Sequence, residues 1–207
     1  FYLAQSYFDS QQWEKCIPAY EKRIMMGGWE EEIYFSLYRI GLAKICLDRP
    51  LEEICMAFMQ SWNYRPIRAE PLHELARYLR MKEQPRLAYL YAKQAANIKF
   101  PEWDILFVNK DVYDYAILDE IAATAFYVHE FEEGLKLSKK LLTMKLPEDY
   151  YGRIKGNLAL YEQHNAEFKS RLKDLEARRY AELHQAREAK REILATKKKN
   201  FKQKKKV

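Results

Sequence analysis

A spacing of twelve residues, repeated four times, constrains this chain more than any other feature. It separates Ala4 from Cys16, Leu42 from Ile54, Ala76 from Ala88 and Ala122 from Gly134, each a small or apolar pair. Three residues after each first member stand Tyr7, Ile45, Leu79 and Ala125, and four after each second member stand Tyr20, Phe58, Ala92 and Ser138. Offsets of three and four keep side chains on one face of a helix. Twelve is the distance from the close-packing point of one helix, over a short turn, to that of its antiparallel partner. The spacing therefore predicts helical hairpins. The segments "DSQQW" at 9–13, "DRP" at 48–50 and "KEQP" at 82–85 interrupt the apolar periodicity where each hairpin must turn. Pro66, Pro101 and Pro147 close the second, third and fourth units, because proline lacks the N–H that would continue a helix.

Successive units begin 38, 34 and 46 residues apart. The second interval is the tetratricopeptide period, the first is near it, and the third carries twelve extra residues that match "PEWDILFVNKDV" at 101–112. One hairpin cannot bury its own apolar face, so the fold class expected is all-α, a tetratricopeptide-like solenoid of stacked antiparallel hairpins. The units lie near 1–28, 33–66, 70–101 and 114–147, and "DYYGRIKGNLALYEQH" at 149–164 reads as a covering helix. Residues 165–195 read as a charged, solvated helix, because Leu172, Leu175, Leu183, Ile193 and Leu194 make too thin an apolar stripe to bury on a core. Residues 196–207 read as a disordered lysine-rich tail. Only six Gly and seven Pro, with 48% apolar and 14% aromatic residues, agree with a packed helical domain.

The net charge of +6 hides an asymmetry. Residues 169–207 carry 15 Lys and Arg against 5 Asp and Glu, which leaves residues 1–168 at −4. Any nucleic-acid argument therefore rests on the tail, which has Phe201 as its one aromatic among the last eleven residues and no folded reader. No apolar run reaches the ~18 residues that span a bilayer. Cys16, Cys46 and Cys55 are odd in number and lack metal-ligand spacing, so they read as small apolar residues of a reducing, cytoplasmic compartment. His73, His129, His164 and His184 are scattered, with no zinc-protease, nucleophile-elbow or phosphate-loop motif. Gly27 and Gly28 read as a turn ahead of Trp29. No catalytic residue, cofactor or metal site is expected within the chain.

Two stretches remain as binding candidates. In "YRPIRAEPLHELARYLR" at 64–80, Pro66 ends one repeat and Pro71 starts the next helix. Arg65 and Arg68 flank that helix start, with Glu70 placed to favour its dipole. They could hold a carboxylate or phosphate, or Arg68 could pair with Glu70 or with an acidic residue of a neighbouring repeat and lock the joint. In "FPEWDILFVNKDVYDY", Trp103, Phe107, Tyr113 and Tyr115 stand among Asp104, Asp111 and Asp114. Aromatic faces beside carboxylates suit sugar stacking, and the same aromatics at apolar spacing suit covering the inserted turn.

The blocks "GGWEEEIY" at 27–34, "YRPIRAEPLHELARY" at 64–78 and "ILFVNKDVYDY" at 105–115 give a resemblance that spans about residues 1–160. In them the chain resembles the helical, tetratricopeptide-like region that follows the catalytic domain of family 2 type glycosyltransferases of bacteria and large viruses. That resemblance implies a nucleotide-sugar and divalent-metal site, with a D-x-D motif, ahead of Phe1; no D-x-D occurs here, Asp111 and Asp114 being three apart. The opening "FYLAQSYF" lacks a helix cap and agrees with a chain cut from a longer one. The expected function is an accessory interaction region that binds protein, peptide or glycan acceptor. A stand-alone peptide adaptor and an RNA-associated repeat protein are the alternatives.

Overall fold

The structure, a computed structural model, describes the backbone of residues 1–204 and the side chains through 185 together with 188. Its helices pair as the spacing requires. α1 (Tyr2–Asp9) turns into α2 (Trp13–Met25), α3 (Glu30–Cys46) into α4 (Leu51–Tyr64), and α5 (Glu70–Met81) into α6 (Pro85–Ala96). After a long loop, a π-helical turn (Val112–Ala116) leads into α7 (Ile117–Thr124), a 3-10 turn (Ala125–Val128) and α8 (Phe131–Leu142). α9 (Glu148–Lys204) follows, and the described residues contain no strand.

The repeat residues are the packing points. Ala4, Cys16, Ala76, Ala88, Ala122 and Ala125 are all buried. Each apolar cluster joins two neighbouring hairpins: Ala4, Cys16 and Tyr20 meet Ile40, Ala43 and Ala57, and Ile54 and Phe58 meet Leu75, Tyr78, Leu79 and Ala88. Leu72, Ala76, Ala92 and Ala95 in turn meet Val112, Ile117 and Ile121. No hairpin completes its own core, which is why the units stack into a solenoid rather than fold singly. The last hairpin is closed by the first turns of α9, where Ile154 packs with Tyr115, Ala122, Leu141 and Leu146.

All four hairpin turns use the same backbone device. Gln11, Asp48, Glu83 and His129 each adopt a left-handed conformation, with φ of 59, 47, 58 and 65°. The next N–H in each turn bonds back five residues: Gln12 to Tyr7, Arg49 to Lys44, Gln84 to Leu79 and Glu130 to Ala125, at 2.8 to 3.0 Å. This 6→1 bond satisfies a carbonyl at the end of the first helix and sets the reversal. Glycine is the usual residue at such a position, and none of these turns contains one.

The chain divides into two compact units, Phe1–Tyr161 and a second beginning at Glu162. Helix α9 runs through to Lys204, so the segments read as a covering helix and a charged helix belong to one element. After Gly156 the chain holds neither Gly nor Pro, and its Lys, Glu, Ala, Arg and Gln are good helix formers, so nothing local ends the helix. Residues 205–207 of the expected tail lie outside the described residues.

Candidate functional site

The joint between α4 and α5 is built by its prolines. Pro66 follows the end of α4, Pro71 occupies the first turn of α5, and the short link between them carries Arg65 and Arg68. Arg68 is only 1% exposed, so its guanidinium must find partners for all of its donors. Its Nε lies 3.1 and 3.2 Å from the two oxygens of Glu70, and Nη2 donates to Glu70 at 2.8 Å and to the Phe107 carbonyl at 3.2 Å. Nη1 donates to Asp104 at 3.1 Å and to the Leu106 carbonyl at 3.3 Å, while the guanidinium carbon sits 4.6 Å from the Tyr34 ring centroid. Every N–H of Arg68 faces an acceptor inside the fold.

The same joint pins the inserted loop. Arg65 forks onto Asp104, with Nε to Oδ2 at 2.7 Å and Nη2 to Oδ1 at 2.5 Å, and reaches Glu30 at 3.2 Å. Glu31, at the start of α3, accepts the backbone N–H groups of Ile105 at 2.9 Å and Leu106 at 2.7 Å. Glu70 takes the Tyr113 hydroxyl at 2.8 Å, the Tyr34 hydroxyl at 3.3 Å and the Asn109 N–H at 3.3 Å. The Ala69 N–H donates to the Tyr113 oxygen at 3.0 Å. Three segments distant in sequence, the start of α3, the α4–α5 link and the inserted loop, are thus tied into one polar network.

Arg65, Arg68 and Asp104 hold each other ionised. The fork from Arg65, and then Arg68, keeps the Asp104 carboxyl below its ordinary range although burial opposes this. Burial works against the charge of Arg68, and the hydrogen bonds and charges of Glu70, Tyr34 and Asp104 outweigh it, so the guanidinium titrates above its usual range. Burial, with the Glu70 charge behind it, raises the hydroxyls of Tyr34 and Tyr113 and keeps them neutral donors. Because the folded Asp104 titrates below its unfolded value near ~3.9, its contribution to stability is present above that pH and is lost as pH falls through the folded value. Asp104→Asn is expected to be clearly less stable than the parent chain at pH 7, with the difference shrinking below about pH 4. Urea denaturation at the two pH values reads this, and a pH-independent difference would count against the ion pair.

Above the network the surface turns apolar. Asp104 points inward, and its neighbours Trp103 and Ile105 are 93% and 79% exposed. Phe107 is also exposed, with φ of 48°, and leans on Phe35 at a centroid distance of 4.7 Å. Met25, Met26 and Trp29 are exposed at the α2–α3 turn, and Tyr64 and Ile67 at the α4–α5 turn. Turns between hairpins share one edge of a stacked solenoid, so these side chains form an apolar ridge on that edge. Below Phe107 a cleft of about 270 Å³ opens between α3 and α5, lined by Tyr34, Phe35, Tyr38, Arg39, Leu42 and Asn109 among others. Arg39 lies there with its guanidinium carbon 4.1 and 4.9 Å from the centroids of Phe8 and Phe35.

Of the residues singled out in the sequence, Arg65, Arg68, Glu70, Asp104 and Tyr113 converge in the network. Trp103 stands apart in solvent. Asp111 is exposed at the start of the π-helical turn, and Asp114 pairs with Lys110 at 3.2 Å. Tyr115 is buried against Tyr150. Glu31, Glu30 and Tyr34 were not singled out in the sequence: three consecutive glutamates at a helix start suit the dipole equally, and nothing local says that one of them reaches residues 105 and 106. The sequence blocks at 27–34, 64–78 and 105–115 hold Glu31, Arg65, Arg68, Glu70 and Tyr113, so they meet in this network.

Burial pushes the Cys16 thiol up to about 11 and raises Cys46 and Cys55, the opposite of what an activated thiolate requires. Among the described residues no group of three or more His, Cys, Asp or Glu is placed to hold a metal ion. No described helix is long and apolar enough to cross a membrane.

No protein-family model matches the chain, and no curated protein matches it. Solved structures do. A crystal structure of nearly identical TPR-like repeats, from a provisionally named kinesin light chain of Podosopora anserina, aligns with TM-score 0.53 at 17% identity, covering 81% of this chain and 86% of that one. A point-substituted form of the same repeat protein aligns with TM-score 0.53 at 17% identity, covering 81% of this chain and 85% of the other. At that identity the likeness shows the fold. The chain is a tetratricopeptide-like α-solenoid.

Proposed function

We propose that this chain is a helical-repeat interaction region that docks a partner protein on the apolar ridge between its hairpins. One observation carries the reading: Trp103 and Ile105 are held in water by a loop whose anchors Arg68, Asp104 and Glu31 are buried. Exposing large apolar groups costs solubility, and fixing them in advance lowers the entropy lost on binding, so a rigid apolar display favours association. Exposed Trp is also the residue type that dominates interface energetics. Its partner presents an apolar surface to the ridge, and the three free thiols support a reducing, cytoplasmic setting.

A photo-crosslinking residue at position 103 captures the partner, which is then purified and titrated against the chain. Trp103→Ala combined with Ile105→Ala is expected to weaken binding by at least about tenfold with an unchanged thermal midpoint. Unchanged affinity overturns the reading. A glycan acceptor is the second possibility for this ridge, supported by the open indole face of Trp103. It makes a different forecast, since sugar stacking needs Trp103 and is indifferent to Ile105. The transferase context is proposed on the sequence blocks alone, with nucleotide-sugar and metal bound by the preceding domain. Reading the coding frame ahead of Phe1 tests it, and an unrelated domain there would remove it.

A further inference from the structure

A larger concavity, of about 820 Å³, lies on the opposite edge, beside the α5–α6 turn. Its walls include Arg80 and Arg86 from either side of that turn, Tyr127 after α7, and Arg153 and Asn157 one turn apart on α9. The three arginines differ in how they are held. Arg80 donates Nε and Nη2 to Glu120 at 2.7 and 2.9 Å, which leaves Nη1 open. Arg153 donates Nη2 to Asp119, and its buried Nε has no acceptor. Arg86 reaches the Tyr127 carbonyl, at 3.4 Å, and pairs with no carboxylate among the described residues. The buried amide nitrogen of Asn157 also lacks an acceptor.

Asp119 and Glu120 are 1% and 2% exposed and do not line the cleft, so they orient two guanidiniums from behind without filling it. A carboxylate of this kind fixes an arginine and leaves its outer donors for a ligand. Asp119 Oδ1 is itself unpartnered, and it belongs to the carboxylate that Arg153 already meets, so Arg153 Nε is not among the donors for a ligand. Arg86 and the open Nη1 of Arg80 stay available even then. Glu83 is the one carboxylate on the wall, and it is exposed. Leu87, Pro85 and the exposed ring of Tyr127 add an apolar side. The volume exceeds what a bare ion needs and falls within the range of sites for small organic molecules.

We propose that this cleft binds a small organic oxyanion, a carboxylate or phosphate group on an apolar body, with Arg80 and Arg86 donating to the anion and Tyr127 and Leu87 packing on the body. The carboxylate and phosphate versions share donors and separate by probe. Phenyl phosphate, benzoate and inorganic phosphate are titrated into the ¹⁵N-labelled full chain, and the side-chain N–H signals of Asn157 and of the arginine Nε groups are followed. Phenyl phosphate or benzoate is expected to give saturable shifts, and the tighter of the two identifies the head group. Arg86→Gln is expected to weaken that binding by about fivefold or more through loss of a charged donor, and Glu83→Gln to tighten it by removing a like charge. Neither side chain has an ion-pair partner among the described residues, so both variants should keep the parental thermal midpoint. Absence of saturable shifts up to about 10 mM with either organic probe, where ΔG would be weaker than ~3 kcal/mol, overturns the site. Equal affinity in Arg86→Gln also overturns it, and inorganic phosphate binding as tightly as phenyl phosphate overturns the role of the apolar body.

Discussion

Arg68→Met is expected to destabilise the first unit by about 3–5 kcal/mol, the range found when one partner of a buried ion pair is removed. The magnitude follows from what is stranded. Glu70, only 3% exposed, loses the cation that forks onto it, and the carbonyls of Leu106 and Phe107 lose their donor inside the fold. Asp104 keeps Arg65, so the loss centres on Glu70 and on the loop backbone. Arg68→Lys should recover little, because an ammonium cannot present the planar fork that meets two carboxylates and two carbonyls together. Adding Glu70→Gln to Arg68→Met should return part of the loss by removing the uncompensated charge, and a double-mutant cycle in urea measures that coupling. A cost under ~1 kcal/mol for Arg68→Met would mean that water enters the joint and the network is not buried in solution.

Gly134→Ala is the second large effect, and it runs against helix propensity. Alanine favours a helix interior over glycine by about 1 kcal/mol. Yet a Cβ at 134 would fall inside the van der Waals envelope of the Tyr161 ring, which is 2% exposed and tied by its hydroxyl to the Ala122 carbonyl at 2.8 Å. The ring cannot withdraw without breaking that bond or opening the contact between α8 and the first turns of α9. Overpacking of this kind costs about 1–3 kcal/mol, and a held ring places it at the upper end. The expected result is a net loss of about 2 kcal/mol in thermal or urea unfolding. Gly156→Ala is the control, since no atom lies within 4 Å of its would-be Cβ and only the propensity gain applies. Equal gains at both positions would show that the α8–α9 contact is loose. Gly41 repeats the device inside the second hairpin, where a Cβ would lie 2.8 Å from the Phe58 ring.

These two residues show how far the sequence could be read. Gly134 was legible as the small member of the fourth twelve-residue pair, because close helix approach demands a small side chain and the demand recurs at Cys16 and Ala88. The aromatic ring that fills the space was not. Arg68 was legible as a joint residue beside two prolines, and Glu70 as its neighbour, but the partner that closes the network, Asp104, sits 36 residues away in an insertion whose path no periodicity describes. Three of the four hairpin turns were legible from their polar residues and the one at His129 was not, and the left-handed φ values fell on Gln, Asp, Glu and His with no glycine to mark them.

By itself the sequence determined that this chain forms stacked helical hairpins, because short-range spacing sets which face of each helix is apolar and where each must reverse. Only the tertiary structure decided what those hairpins present to a partner. Apolar exposure and ion pairing depend on which distant segments meet, and the loop at 101–111 shows both at once: its aspartate is drawn inward by two arginines, and that pull is what leaves Trp103 and Ile105 in water.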